Sequence, residues 1–268
     1  MSKADTVFSS SIASLYDRYL GPLIFEPYAD DLAKRLSTFS PGRVLETAAG
    51  SGIVTRALLR SLPGVSVVAT DLNQPMLDHA AAQTSSSRVT WRQTDAQALP
   101  FPDGTFDAVV CQFGAMFFPD KRRAYREARR ALRPGGCFLF NTWDRIENNE
   151  FADLVTAAVA DMFPSDPPRF LARTPHGYHD KAVILEDLRN AGFMNVRLET
   201  LTRRSVAPSC RNPAIGYCQG TPLRNEIENR DASRLIEATE AAASRIRARF
   251  GNGPVDGKIQ AHVIMARV

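Results

Sequence analysis

Between Arg43 and Trp143, apolar runs of strand length (RVLE, VSVVAT, VTWRQ, FDAVVCQF and CFLFNTW) take turns with stretches of helical pattern. That alternation leaves few architectures open. It calls for βαβ units whose strands lie parallel in one sheet, with helices covering both faces. A chain of 268 residues has room for one such domain and a modest addition.

Hydrophobic residues at 44% and charged residues at 23% are ordinary globular values, which excludes disorder and fibrous repeats. The richest apolar run, Phe106 to Phe118, is interrupted by Asp107 and Gln112, so no membrane span is expected. The opening residues carry no basic segment followed by an apolar block and a cleavage site, which predicts a cytoplasmic location. Cys111, Cys137, Cys210 and Cys218 follow no zinc or CxxC spacing, so reduced thiols and no metal are expected. A net charge of +4 fits either a polyanionic partner or a solvated Arg-rich face.

Punctuation marks the remaining elements. Gly135 and Gly136 suit a helix stop and tight re-entry into the sheet before Cys137. Glu150 to Phe163 has apolar residues at helical spacing, and Asp180 is placed to cap a helix that Gly192 stops. Ser205 to Pro222, rich in Pro, Gly and Ser, reads as a loop. A helix follows from Leu223 to Phe250, ~40 Å if unbroken, with Asp231 and Ala232 as the place for a break. KIQAHVIMARV alternates as a closing strand, so the segment before it is long enough to cap a site.

The segment that carries most chemistry is VLETAAGSG, Val44 to Gly52, a strand that ends in an acid and turns through small residues into a helix at Ile53. Gly50 and Gly52 permit close backbone approach to a ligand at the helix amino end. Both dinucleotides and S-adenosylmethionine use such turns. Glu46 separates them, because a carboxylate there repels a pyrophosphate and attracts an ammonium and a sulfonium. The dinucleotide fingerprint is also incomplete, with Thr55 where its third Gly or Ala belongs. Asp71 ends the second strand, where an acid accepts ribose hydroxyls, and Asp95 follows the third, where it can accept an adenine amino hydrogen. Three acids at successive strand ends define one crevice.

VLETAAGSG, ATDLNQPML, TDAQALPFPDGTFDAVVCQFGAMFFPD and ALRPGG together resemble the ordered motifs of the class I S-adenosylmethionine-dependent methyltransferases, in the branch of the ubiquinone and menaquinone C-methyltransferases. The match covers about residues 40 to 143. The resemblance implies a Rossmann-like, mostly parallel seven-stranded sheet with its last strand antiparallel, helices on both faces and a helical cap. It further implies that Glu46 and the turn from Ala48 through Gly50 to Gly52 hold the methionine part. Asp71 and Leu72 would hold the ribose, and Asp95, Ala96 and Gln97 the adenine. Met76 would pack near the adenosine, with Gln112 and Phe113 beside the methyl group. Ala48 departs from the family's glycine pattern, and a slight shift of the turn is expected there. CQFGAMFF lacks the motif of enzymes that methylate amino groups of DNA and protein.

Methyl transfer from a sulfonium is an in-line displacement, and a base is needed only when the acceptor keeps its proton. His176, Tyr178 and His179 are the candidates, although two solvated loop histidines are the simpler reading. In the leading segment Tyr16 and Tyr19 are lid candidates. The basic stripe of Arg122, Arg126, Arg129, Arg130 and Arg133 reads as a solvated helix face, since stacking aromatics beside it are few. The expected organisation is a leading helical lid over 1–39 and a methyltransferase domain over 40–268, with a cap insertion at about 204–257. The expected activity is methyl transfer to a small-molecule acceptor, flat or apolar. RNA methylation and a non-catalytic S-adenosylmethionine-binding protein are the alternatives.

Overall fold

Five adjacent parallel strands, running inward from one edge, form most of a seven-stranded sheet in the computed structural model, which describes residues 10–268. The first nine residues of the expected lid lie outside the described residues. In chain order the elements begin with α1 (Ser10–Leu15), a π-helical segment (Tyr16–Phe25), α2 (Glu26–Ser37), β1 (Arg43–Thr47) and α3 (Ile53–Ser61). Next come β2 (Ser66–Asp71), α4 (Gln74–Ala82), β3 (Val89–Gln93), β4 (Phe106–Gln112), α5 (Lys121–Ala131) and β5 (Leu132–Trp143). The second half holds α6 (Glu150–Met162), α7 (Phe170–Arg173), α8 (Lys181–Asn190) and β6 (Asn195–Ala207). It ends with α9 (Arg211–Gln219), α10 (Leu223–Asp231), α11 (Leu235–Phe250) and β7 (Val255–Arg267).

The strand order is β3-β2-β1-β4-β5-β7-β6, with β7 antiparallel to both of its neighbours. The expected sheet is therefore the one observed. From β1 the chain runs outward through β2 and β3, then returns to lay β4 on the other side of β1. Crossovers leave in opposite directions at that point, and a crevice opens beyond the carboxyl ends of β1 and β4. Everything chemical in the sequence points there.

Local chemistry explains the helix ends. Asp180 accepts from the amides of Ala182 and Val183, Asp120 caps α5 through Arg123 N at 2.9 Å, and Gly192 adopts φ +93° after α8. Aromatic side chains fill the layer between α5 and the sheet, where Tyr125, Phe138 and Phe140 are fully or almost fully buried. All four cysteines are buried and unpaired. Among the described residues no helix is long and apolar enough to cross a membrane.

One expectation about the late segment needs correction. The stretch Ser205 to Pro222 is not a loop: β6 continues to Ala207 and α9 occupies Arg211–Gln219. Pro213 stands in the first turn of α9, where its missing N–H has no helical acceptor to lose. Gly216 is there for packing, because a Cβ would come 2.8 Å from Leu20 Cδ2. The following helix does break where a break was expected. Residues 232–234 form a 3₁₀ turn, and Asp231 accepts from Ser233 N at 2.9 Å.

Candidate active site

The turn after β1 is built from three left-handed residues, Ala48 at φ +53°, Gly50 at +55° and Gly52 at +80°. Such angles cost an L-residue about 1–2 kcal/mol, and only Ala48 bears that cost. Its methyl group fits because the residue opposite is Gly114, whose Cβ, if present, would collide with Ala48 Cβ and lie 2.8 Å from Cys111 Sγ. The turn is pinned by Ala49 N to Thr70 O at 2.9 Å and by Gly50 N to the Asp71 carboxylate at 2.9 Å.

Beside this turn lies a pocket of about 330 Å3 at the carboxyl edge of β1 to β4. Its walls include Tyr16, Ala48, Gly50, Asp71, Leu72 and Met76 on one side and Asp95, Ala96, Gln97, Gln112 and Phe113 on the other. Thr94, Gly114, Phe117, Phe118 and Pro119 also line it and were not expected, although they flank expected residues at the same strand ends. Three expected residues do not line this pocket. Gly52 caps α3 behind the turn. Tyr19 packs away from it, under the guanidinium of Arg18 and against the backbone of Gly216. Glu46 faces a smaller adjoining cleft with Tyr16, Gly50, Ile53 and Gln112.

The acids differ in state. Glu46 is 1% exposed and accepts from the Thr55 hydroxyl, and its burial pushes the carboxyl up to about 8. A cation placed beside it would draw that value down again. Asp71 is also raised, mainly by burial, while its oxygens accept from Gly50 N at 2.9 Å and Asn73 N at 2.8 Å. Asp95 is exposed and closes a tight turn by accepting from Gln97 N at 2.8 Å. Gln112 donates to Phe25 O at 3.2 Å, while its buried Oε1 has no partner among the described residues. That oxygen is an acceptor awaiting a donor.

Over the pocket lies the π-helical segment. Asp17 accepts from Ser51 Oγ at 2.8 Å and Arg56 Nη2 at 3.1 Å, so the segment is clasped to the glycine turn and α3. Tyr16 stacks on Phe25, with ring centroids 4.6 Å apart.

A second cavity adjoins the first, sharing Tyr16, Phe113 and Phe117 with it. Trp143, Phe170, Tyr217 and His176 belong to its wall. Trp143 was missed, yet it ends β5, the next strand along the edge that supplies Asp71 and Gln112. His176 is not the solvated loop residue expected: it is 5% exposed, and Nδ1 lies 2.8 Å from Asp144 O. His179 and Tyr178 line neither cavity. His179 Nδ1 is 2.8 Å from His176 O, and Tyr178 donates to Asp187 at 2.9 Å in the buried layer beside Tyr125.

Known proteins resemble this chain in sequence and in fold. A family model described as a methyltransferase domain matches residues 45–140. The ubiquinone/menaquinone biosynthesis C-methyltransferase UbiE of Teredinibacter turnerae is 33% identical over 187 residues, which cover 64% of this chain and 75% of that protein. A demethylmenaquinone methyltransferase of Thermus thermophilus is 42% identical over 99 residues, 36% of this chain and 45% of that one. Among solved structures, Haemonchus contortus phosphoethanolamine N-methyltransferase 2 in complex with S-adenosyl-L-methionine superposes with a TM-score of 0.63 at 15% identity, over 97% of this chain and 57% of that chain, a likeness of fold. Shared sequence over most of the UbiE length, joined to the family's sheet order, makes the chain a member of the class I S-adenosylmethionine-dependent methyltransferases, resembling the ubiquinone/menaquinone C-methyltransferase branch.

Proposed function

We propose that this enzyme transfers a methyl group from S-adenosylmethionine to a small, apolar or flat acceptor, with the nucleoside in the larger cavity and the acceptor in the aromatic one. The observation that carries the reading is the junction of the two cavities at Tyr16, Phe113 and Phe117, a pocket edged by acids meeting one walled by rings. The residues fit the cofactor. Gly50 presents no side chain at the pocket wall, the buried carboxyl of Glu46 in the adjoining cleft suits an ammonium, and Asp71 and Asp95 offer acceptors at neighbouring strand ends. Leu72, Met76, Ala96, Gln97 and Gln112 complete the assigned set.

When bound, the cofactor supplies an electrophilic methyl group. The chain's own part is to hold the acceptor in line and keep water out. Residues 10–39 would act as the lid through Asp17 and Tyr16, and the helices α9 to α11, between β6 and β7, as the cap. Buried unpaired cysteines support a reducing, cytoplasmic setting.

RNA gains no support from the basic stripe of α5 and the start of β5. Arg122 pairs with Asp187 at 2.7 Å, Arg130 with Glu127 at 2.9 Å and Arg133 with Asp107 at 2.8 Å, while Arg129 donates to Gly192 O. Most of that charge is used within the fold. The test is formation of S-adenosylhomocysteine with a panel of small apolar acceptors beside bulk RNA. Turnover confined to the small molecules supports the proposal. Salt-sensitive transfer to RNA overturns it, and tight cofactor binding with no product would favour a non-catalytic binder.

A further inference from the structure

Phe113 is the first residue past β4, and its backbone stands in the left-handed region at φ +49°. A bulky L-residue keeps that angle only where its surroundings hold it, because the conformation costs free energy. The residue is 5% exposed and belongs to the wall of both cavities. Its ring lies flat on Trp143, with centroids 3.7 Å apart and planes 3° from parallel, and meets Tyr28 edge-on at 5.4 Å.

The backbone is held by one side chain. Asn141 Oδ1 accepts the Phe113 amide hydrogen at 2.8 Å. Asn141 lies in β5, in register with Gln112, and is completely buried. It is two residues from Trp143 on the same strand, so both side chains project to one face of the sheet. One face of β5 therefore holds Phe113 twice, by its amide through Asn141 and by its ring through Trp143.

An asparagine here carries a cost of its own. Its Nδ2 is buried and has no hydrogen-bond partner among the described residues, and an orphaned donor in a core is destabilising. The strand residues before it, Cys137, Phe138, Leu139 and Phe140, are all apolar and buried. Packing alone would be served by another such residue, but that residue would orphan the Phe113 amide. Two unfavourable features, a left-handed phenylalanine and an unpaired amide, thus meet at a single hydrogen bond. Strain of this kind persists where the geometry it secures is used. What it secures is the place of the Phe113 ring, at the junction of the cavities with Tyr16 and Phe117.

Resting on the methyltransferase reading above, we propose that Asn141 is a positioning residue for methyl transfer: by holding the Phe113 amide it keeps that ring at the junction, beside the methyl group of S-adenosylmethionine, and so fixes the line along which the methyl group leaves. Asn141 lines neither cavity and acts only through Phe113. Without the bond, residue 113 relaxes from its left-handed angle, the ring swings off Trp143 and the junction widens. An in-line displacement tolerates little of this, since a misplacement of about 1 Å can cost ~10²-fold in rate.

The test follows the ¹³C-labelled methyl group of S-adenosylmethionine by NMR, because an aromatic ring beside it displaces its resonance. On binding to the wild type the methyl signal should move away from its free position, and Phe113→Leu should abolish most of that displacement. Asn141→Leu, similar in size but without an acceptor, should abolish it too, while its Kd for S-adenosylmethionine stays within about three-fold of the wild type. Asn141→Asp keeps an acceptor oxygen in the same place and should keep the displacement. With an acceptor from the panel above, kcat of Asn141→Leu should fall ~10²-fold while KM for S-adenosylmethionine holds. A displacement that Phe113→Leu leaves intact overturns the proposal, whether or not any Asn141 variant folds. So does a displacement that survives in Asn141→Leu, or one lost equally in a folded Asn141→Asp. Failure of the wild type to bind S-adenosylmethionine would instead remove the methyltransferase reading beneath it.

Discussion

Asp71, at the end of β2, accepts the amide hydrogen of Gly50 from the turn after β1 at 2.9 Å. The acid that faces the larger pocket thus also shapes the turn beside it. Its other oxygen accepts from Asn73 N at 2.8 Å, so removing the whole carboxylate would disturb two backbone segments. Asp71→Asn is the cleaner change, because one acceptor oxygen remains.

On the proposed assignment, Asp71→Asn should weaken S-adenosylmethionine binding by ~1.5–3 kcal/mol, the range for a hydrogen bond to a charged group. Titration calorimetry reads this as roughly a ten- to hundred-fold rise in Kd. An unchanged Kd would remove the ribose role.

Glu46 should make cofactor binding depend on pH. Burial raises its carboxyl from 4.5 to about 8, and a bound ammonium favours the ionised form, so binding below about pH 8 releases a proton. Affinity should climb from pH 6 to 8 more steeply in the wild type than in Glu46→Gln. Calorimetry in buffers of different ionisation enthalpy measures the proton released. The same shift has the opposite effect on stability. The folded state holds this proton where the unfolded chain has lost it, so the contribution of Glu46 to stability falls as pH rises from 4.5 to about 8.

Ala48 and Gly114 should be energetically coupled. Ala48→Gly relieves the left-handed strain at φ +53° and should stabilise the fold by about 0.5–1 kcal/mol, after the entropy gained by the unfolded chain is offset. Gly114→Ala should cost about 1–3 kcal/mol by overpacking against Ala48 and Cys111. Denaturant unfolding of the double variant should recover part of that loss, and strict additivity would contradict the contact.

On the proposed lid role of the leading segment, Asp17→Asn should loosen its hold on the glycine turn. It leaves the Arg56 guanidinium, 3.1 Å away, without its charged partner and weakens the acceptor for Ser51 Oγ. The expected outcome is a several-fold faster release of cofactor in stopped-flow measurements, with little change in Tm, because a partly exposed ion pair contributes only about 0–1 kcal/mol.

Much of this was legible in the sequence because it is local. Strand alternation gives the sheet, and the acids and glycines at strand ends mark the pocket without reference to distant residues. What was not legible depends on packing between distant segments. Gly216 belongs to the stretch that reads as a loop, yet it sits in α9 and admits Leu20 from a segment almost two hundred residues earlier. His176 sits in a Pro- and Gly-rich stretch and looks solvated, but Trp143 and the Asp144 carbonyl bury it. Tyr16 and Tyr19 look equivalent at a 3.6-residue period. In the wider π-helical winding only Tyr16 faces the cavities.

Which nucleotide this crevice accepts is decided by titration calorimetry of the wild type with S-adenosylmethionine, S-adenosylhomocysteine and NADH at pH 7.5. Saturable binding of both sulfur nucleosides at one site, with no heat from NADH, is the expected result. Saturation by NADH with no response to either sulfur compound would contradict it.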